Sequence, residues 1–271
     1  PALALQKEFD IQVDFVNIKS DGSIDVTHLV ELLSQEVKTL VSLMHVNNEV
    51  GVVLDLERIA IICKEHNALF HSDTVQSVGK TEIDLKALPI DFISASAHKF
   101  HGPKGIGFAF IRKNSGLQPL LLGGEQEKGM RGGTESIYQV AGMAKALEMA
   151  YANLDKERVY IADLKQYCIS QLTKEFPNSK VIGTENGFYN IINVILPLSD
   201  DKAGMLLFHL DIKGIAVSRG SACQSGSSNP SHVLAEILSA EELTKPSLRI
   251  SFSHYNTKED IDYLIEVLKT A

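Results

Sequence analysis

Short apolar runs alternate with amphipathic stretches along the first half of the chain. Amphipathic patterns at residues 26–33 and 55–66 place apolar side chains on one helical face, and Asp55 can cap the second helix. Strand-like patterns are shorter and lie at residues 11–18, 39–44, 68–70, 90–93 and 106–111. Strands and helices in this order are typical of βαβ units, so the pattern predicts an α/β fold with a mostly parallel sheet covered by helices.

The second half of the chain mixes shorter strands with helices in a less regular order. Helices are expected at residues 136–152, 155–176, 202–210, 258–269 and from 230 onward, and strands at 180–182, 191–196, 215–217 and 248–252. This change predicts a large domain over residues 1–153 and a smaller α+β domain over residues 154–271. A helical pattern at residues 2–9 follows Pro1 directly, and we expect an N-terminally incomplete large domain.

The composition argues against several classes of protein. The 271 residues carry a formal net charge of −8, which disfavours nonspecific binding to nucleic acid or to an anionic membrane. No apolar run approaches membrane-spanning length, and no CxxC or HExxH motif indicates a metal site. Three cysteines without a pairing pattern suit a reducing compartment, so we expect a cytoplasmic protein.

Polar residues follow three successive predicted strands. They are Asn48 after the first strand, Asp73 and Gln76 after the second, and Ser96, His98 and Lys99 after the third. Ligands of open α/β sheets bind beyond the carboxyl ends of the strands. A single residue of this kind has a simpler interpretation, such as a helix cap for Asp73 or a turn for Asn48. Three polar strand ends at one sheet edge predict a binding site.

Lys99 lies between two apolar runs, where a solvated charge would be badly placed. Burial favours the neutral amine of a lysine, which is the form that attacks a carbonyl. Lys99 is therefore a candidate covalent anchor for pyridoxal 5′-phosphate (PLP), although this stretch alone fits a surface turn lysine equally well. A carboxylate such as Asp73 would keep the pyridine nitrogen of PLP protonated. Gln76 could donate to the ring oxygen, and Ser96 with His98 could hold the phosphate.

Five segments of the chain also carry a family resemblance. They are residues 44–51 (MHVNNEVG), 71–80 (HSDTVQSVGK), 96–105 (SAHKFHGPKG), 129–134 (GMRGGT) and 218–223 (SRGSAC). In order and spacing they resemble the motifs of the PLP-dependent cysteine desulfurases, and the match covers nearly the whole chain. The resemblance implies a fold-type I PLP-dependent transferase, which is a homodimer with a large and a small domain. It also implies an N-terminal segment, with a phosphate turn and a histidine that stacks on the ring, which this chain is expected to lack.

The resemblance assigns roles to the residues around the ring of the cofactor. Lys99 would bind PLP covalently, and Asp73 would pair with the pyridine nitrogen. Gln76 and Asn48 would contact the ring oxygen and the substrate side of the cofactor.

The resemblance also assigns roles at the phosphate and at the substrate. Ser96 and His98 would bind the phosphate, and Thr134 would reach the phosphate held by the other subunit of a homodimer. Arg249 would clamp the substrate carboxylate, a role that suits the planar fork of a guanidinium. Without the resemblance, a surface ion pair is the default interpretation of Arg249.

Cys223 distinguishes the possible activities. Its neighbours at residues 220–229 are small and polar, whereas Cys63 and Cys168 lie in helical patterns that bury small apolar residues. In the resembled family this cysteine attacks the sulfur of bound L-cysteine, which gives L-alanine and an enzyme persulfide. The Ser- and Gly-rich segment is similar to the branch that passes sulfur to an iron–sulfur scaffold protein or to a tRNA-thiolation relay.

Other activities remain open on the sequence alone. A selenocysteine lyase or a PLP aminotransferase could have the same fold, although aminotransfer needs no loop thiol. A catalytically silent fragment that only dimerises or docks a sulfur acceptor is the remaining alternative.

Overall fold

The computed structural model describes residues 2–35, 37–198, 205–219 and 231–270. The helices in these ranges are α1 (Ala2–Phe9), α2 (Val26–Leu33), α3 (Leu56–Glu65), α4 (Ile137–Ala152), α5 (Leu154–Glu175), α6 (Leu206–Ile212), α7 (His232–Ile237), α8 (Ala240–Thr244) and α9 (Lys258–Thr270). The strands are β1 (Leu40–Met44), β2 (Leu69–Asp73), β3 (Phe92–Ser96), β4 (Gly107–Ile111), β5 (Lys180–Ile182), β6 (Ile191–Ile195) and β7 (Ser247–Ser251). Short 3₁₀ helices span Ala97–Phe100 and Gln126–Gly129.

The first half forms a four-stranded sheet in the order β1-β2-β3-β4. β1, β2 and β3 are parallel, and β4 pairs with β3 in the antiparallel direction. α3 buries Ile59 and Cys63 in the same core cluster as Phe70 of β2. Asp55 caps this helix, because its Oδ1 accepts the Arg58 N–H at 3.0 Å. The predicted mostly parallel sheet with covering helices is therefore confirmed.

The turn that contains Lys99 joins β3 to β4. The first residue of β4, Gly107, pairs with Ser96. A Cβ atom at Gly107 would collide with the carbonyl oxygen of Ala95, so only glycine lets the two backbones come this close. The turn is thereby held directly against the end of β3.

The second half contains a separate antiparallel sheet in the order β5-β6-β7. α5 and α9 contribute to its core cluster, in which Leu164, Cys168, Ile192, Leu248 and Leu264 are all buried. Strands and helices are thus mixed here, as the sequence pattern predicts. The expected division at residues 153 and 154 stays a prediction.

Two of the expected strands are wrong. Residues 11–18 form an irregular segment whose isolated bridge joins Ile18 to Ile24, and Ile11 and Phe15 are exposed. The alternating pattern favours a strand, but a strand also needs a neighbour for its backbone hydrogen bonds. Residues 215–217 are likewise irregular, and the pairing begins only at Ser218. The expected helix at 202–210 begins within residues that are not described, and its described part is α6.

No helix in the described ranges combines the length and the apolar character needed to cross a membrane. Among these residues, no group of three or more His, Cys, Asp and Glu side chains is arranged to hold a metal ion.

Candidate active site

The parallel strands bring their polar ends together at one edge of the first sheet. The register pairs Met44 with Asp73, and Asp73 with Ser94. The pairing continues just past the strands, because the His45 N–H donates to the Asp73 carbonyl at 2.9 Å and the Thr74 N–H donates to the Ser94 carbonyl at 3.0 Å. The segments that follow β1, β2 and β3 therefore leave the sheet side by side, as expected for a binding edge.

Asp73 is half-buried at the end of β2 and is held by its own turn. Its Oδ1 accepts the Val75 N–H at 2.9 Å. The next residue, Thr74, is fully buried and donates its hydroxyl to the Ser94 carbonyl at 2.8 Å. Gln76 is half-buried in the same turn. The Asp73 carboxylate is thus held at the end of the central strand β2, and Gln76 lies in the turn that follows.

Ser96 and His98 contact each other after β3. The Ser96 Oγ lies 2.8 Å from the His98 Nδ1, and the direction of the hydrogen bond depends on the imidazole tautomer. Ser96 is half-buried, and the His98 side chain is exposed. A hydroxyl and an imidazole that lie within hydrogen-bond distance of each other form a pair suited to bind phosphate oxygens.

Lys99 is half-buried in the 3₁₀ helix Ala97–Phe100. The helix ends at His101, which has a left-handed φ of 64°, and the Gly102 N–H donates to the Ala97 carbonyl at 2.8 Å. This closed turn fixes the backbone of Lys99 beside the ends of β2 and β3.

The sequence analysis missed a second lysine next to Lys99. Burial lowers the pKa of Lys80 to about 8, and the positive charge of Lys99 adds to the shift. Its position at the end of the 71–80 motif is the signal that could have identified it. The positive charge of Lys99 thus favours the neutral amine of Lys80, which is the nucleophilic form of a lysine.

His45 is another buried group at the edge that the sequence analysis did not assign. It follows β1, its side chain is 8 % exposed, and burial lowers its pKa to about 4. The imidazole is therefore neutral near pH 7. Its Nδ1 is buried without a hydrogen-bond partner among the described residues.

Arg249 of β7 reaches the same edge from the second sheet. Its Nη1 donates to the carbonyl oxygen of Asn48 at 3.0 Å, and its backbone N–H donates to the Ser218 carbonyl at 2.7 Å. Asn48 lies in a turn shaped by Asn47, whose Oδ1 accepts the N–H groups of Glu49 and Val50 at 2.9 and 3.0 Å. The structure thus places Arg249, the predicted ligand of the substrate carboxylate, against Asn48, one of the predicted cofactor contacts.

The two remaining predicted site residues are Thr134 and Cys223. Thr134 is exposed in the glycine-rich stretch after the 3₁₀ helix Gln126–Gly129. Cys223 lies within residues 220–230, outside the described residues, five positions after Ser218 in the sequence.

A cavity of about 510 Å³ adjoins the Lys99 turn, but the predicted cofactor contacts do not line it. Its walls include Lys80, Phe100, His101, His254 and Tyr255. We place the site at the polar strand ends rather than in this cavity, because ligands of such sheets bind there.

Comparisons with known proteins agree with this architecture. The family described as "Aminotransferase class-V" matches residues 1–264. A cysteine desulfurase IscS of Dictyoglomus turgidum is 37 % identical over 264 residues, which cover 97 % of this chain and 66 % of that protein. The chain therefore spans just under two thirds of the length of this curated relative.

Solved structures show the same fold. The X-ray structure of a NifS-like protein from Rickettsia africae ESF-5 matches with a TM-score of 0.87 and 33 % identity, over 99 % of this chain and 72 % of that chain. A structure described as SspA in complex with cysteine matches with a TM-score of 0.75 and 30 % identity, over 94 % of this chain and 70 % of that chain. These neighbours confirm the expected fold-type I architecture. The chain belongs to the aminotransferase class-V family and is a relative of the NifS-like proteins within it.

Proposed function

We propose that the protein is a PLP-dependent cysteine desulfurase that converts L-cysteine to L-alanine and carries the sulfur as a persulfide on Cys223. The observation that carries this proposal is the arrangement of the sheet edge. Three parallel strands end at Met44, Asp73 and Ser96. Asn48 and Lys99 follow the first and the third of them, and Arg249 donates to the Asn48 carbonyl. The relative named cysteine desulfurase IscS and the neighbour in complex with cysteine support the same substrate.

The residues at this edge fit PLP. Lys99 Nζ supplies the amine for a covalent anchor, and the Asp73 carboxylate suits a protonated pyridine nitrogen. Gln76 and Asn48 contribute amides beside the ring, and the Ser96–His98 pair suits the phosphate. When bound, PLP supplies an electron sink for bonds at the substrate α-carbon.

The substrate is bound and attacked by residues of this chain. Arg249 binds the α-carboxylate through its guanidinium fork, which fixes the orientation of the amino acid. The Cys223 thiolate attacks the sulfur of the substrate. An S–S bond forms, the C–S bond breaks, and its electron pair stays on the carbon that takes up a proton and becomes the methyl group of alanine.

The finer features belong to the same proposal. The enzyme is a cytoplasmic homodimer in which Thr134 reaches the phosphate held by the other subunit. The large domain covers residues 1–153 and the small domain covers residues 154–271. Cys223 passes its sulfur to an iron–sulfur scaffold protein or to another sulfur-relay acceptor, and no direct contact with nucleic acid is involved.

The decisive experiment follows the sulfur. Cys223→Ser should still bind PLP and still change its visible spectrum with L-cysteine, but it should form no persulfide detectable by mass and should release alanine at least about a hundredfold more slowly. Cys63→Ser and Cys168→Ser are the matched controls, and both should carry the persulfide at Cys223. A persulfide on Cys63 or Cys168, or normal desulfuration by Cys223→Ser, would contradict the proposal.

The anchor is tested separately. Borohydride reduction of the PLP-loaded protein should leave a stable adduct on Lys99 that Lys99→Ala abolishes. Lys104, an exposed lysine of the same motif, is the control, since Lys104→Ala should keep the adduct. An adduct that moves to Lys104 would show that the anchor has been assigned wrongly.

A further inference from the structure

The turn after β1 is held by the second half of the chain at several points. We call residues 47–51 the Asn48 turn. Arg249 of β7 donates to the Asn48 carbonyl at 3.0 Å, and Asn193 of β6 donates through Nδ2 to the Glu49 carbonyl at 3.1 Å. Ser231, which caps α7, donates its hydroxyl to the Glu49 Oε2 at 2.5 Å. The turn therefore contacts three elements of the second half.

Glu49 is an unusual residue for its environment. Its side chain is 1 % exposed, and its neighbours Val50 and Val52 belong to a core cluster with Ile195 and Leu234. Burying a carboxyl group is costly unless it is hydrogen-bonded. An apolar side chain would fill the same space without that cost. The carboxyl group gains a contact that an apolar side chain cannot make, which is the hydroxyl of Ser231.

The Ser231 side chain is held by the first turn of α7. It is 9 % exposed, and its Oγ accepts the N–H groups of Val233 and Leu234 at 3.1 and 3.2 Å. The hydroxyl therefore has its proton available for Glu49 while its oxygen caps α7. The contact joins the start of a helix in the second half to the Asn48 turn of the first.

We propose that Glu49 is a positioning residue that sets the placement of Arg249 relative to the cofactor edge. This inference rests on the proposed function. Glu49 holds the Asn48 turn against α7 and β6, so the Asn48 carbonyl stays where the Arg249 guanidinium can donate to it. This acceptor fixes one nitrogen of the guanidinium, and with it the placement of the group that binds the substrate carboxylate in the proposed function. Small displacements of such a clamp are costly, because bidentate recognition depends on geometry.

The proposal predicts a loss of affinity only for ligands that carry a carboxylate. In Glu49→Leu the turn keeps its packing but loses the Ser231 contact. L-alanine should bind the PLP-loaded variant about tenfold more weakly than the wild type, because hydrogen bonds to charged groups of this kind are worth about one power of ten or more. Ethylamine, which lacks the carboxylate, should bind both proteins equally. The affinity for PLP itself should change less than about threefold.

The variants are chosen to separate positioning from general damage. Glu49→Gln keeps an oxygen that can accept the Ser231 proton, so it should restore the alanine affinity to within about threefold. Ser231→Ala should weaken alanine binding as Glu49→Leu does. Ser231→Ala also removes the cap of α7, so it needs a control that removes a helix cap elsewhere. Ser239→Ala is that control, since Ser239 caps α8 by accepting the Glu242 N–H without touching Glu49.

Spectral titration of the PLP-loaded proteins with L-alanine and ethylamine gives the binding constants. A second measurement uses PLP-free protein, in which the effects of Glu49→Leu and Ser231→Ala on urea unfolding should be non-additive because the residues are in contact. Equal loss of alanine and ethylamine affinity, or additive unfolding effects, would overturn the proposal. A wild-type protein that binds PLP but does not respond to alanine would instead contradict the proposed function, and the positioning role would fall with it.

Discussion

At the scale of single residues, Asp73 combines a structural and a chemical contribution that can be separated. Its Oδ1 accepts the Val75 N–H, and an asparagine would keep this acceptor. Asp73→Asn should therefore fold and bind PLP within about threefold of the wild type, but lose its negative charge beside the pyridine nitrogen. We expect turnover to fall by about a hundredfold or more, as for other charge-stabilising groups. Steady-state kinetics and a PLP titration measure the two effects.

Asp84 provides the matched control for Asp73→Asn. It is exposed and makes the same kind of turn, with its Oδ1 accepting the Lys86 N–H at 2.8 Å. Asp84→Asn should leave turnover unchanged. Near-normal turnover of Asp73→Asn would show that its charge is not needed.

Cys63 and Cys168 should be poor nucleophiles in the folded protein. Burial raises the pKa of each thiol to about 12, and the charge of Asp91 contributes at Cys63. Because the reactive form is the thiolate, alkylation at pH 8 should leave both residues unmodified in the native protein. The same reagent should modify both within minutes in urea, where the pKa returns to about 8.5. Peptide mass mapping gives the result, and native labelling of either residue would contradict the burial.

The site residues that could be predicted from the sequence have a local pattern, whereas the others depend on long-range contacts. Asp73 and Lys99 follow apolar runs, so their positions at strand ends could be predicted locally. Glu49 is defined by its burial against parts of the chain that are far away in sequence. Ser231, the partner of Glu49, is 182 residues away from it, and no local pattern reports such a contact.

At the scale of elements, helices were predicted better than isolated strands. A helix satisfies its own hydrogen bonds, so a cap and an apolar face predict α3 within one residue. A strand depends on a neighbour, and residues 11–18 have the alternating pattern without the neighbouring strand. The parallel strands β1 to β3 were predictable from the apolar residues that begin each of them, although β1 buries only Val41. The placement of Arg249 was not, since it depends on how the second sheet meets the first.

The cap of α3 can be tested by substitution. Asp55→Ala removes the acceptor for the Arg58 N–H and should lower the free energy of unfolding by about 1 kcal/mol. Asp55→Asn keeps an acceptor at this position and should cost only a few tenths of that amount. Urea unfolding followed by circular dichroism measures both. Equal destabilisation by alanine and asparagine would show that the cap is not what stabilises α3.

At the scale of the whole molecule, apolar side chains are exposed on both sides of the glycine-rich stretch that contains Thr134. Leu120 is 91 % exposed, Leu122 82 %, Tyr138 81 % and Ile137 74 %. Exposed large apolar side chains in one stretch of sequence are typical of a surface that another chain covers. They support the proposed homodimer, and Thr134 lies between them in the sequence.

The homodimer predicts a specific response to charge on this surface. Leu122→Glu should weaken dimerisation by at least about tenfold, because association would bury a carboxylate. The affinity for PLP should fall with it if Thr134 completes the phosphate site of the other subunit. Sedimentation at micromolar concentration and a PLP titration test the two parts, with Val159→Glu on the exposed face of α5 as the control. A wild-type monomer that binds PLP fully would contradict the shared site.

The turn between β3 and β4 also has a consequence for how the protein folds. Ser96 pairs with Gly107 across a short hairpin, whereas Arg249 meets Asn48 across 201 residues of chain. Local hairpins close within microseconds, and contacts between distant residues form much later because they must first overcome the entropy of closing a long loop. During synthesis, the Lys99 turn is complete before Arg249 has been translated. The proposed cofactor anchor and the proposed substrate-binding arginine are therefore expected to be assembled as separate events, with the anchor first.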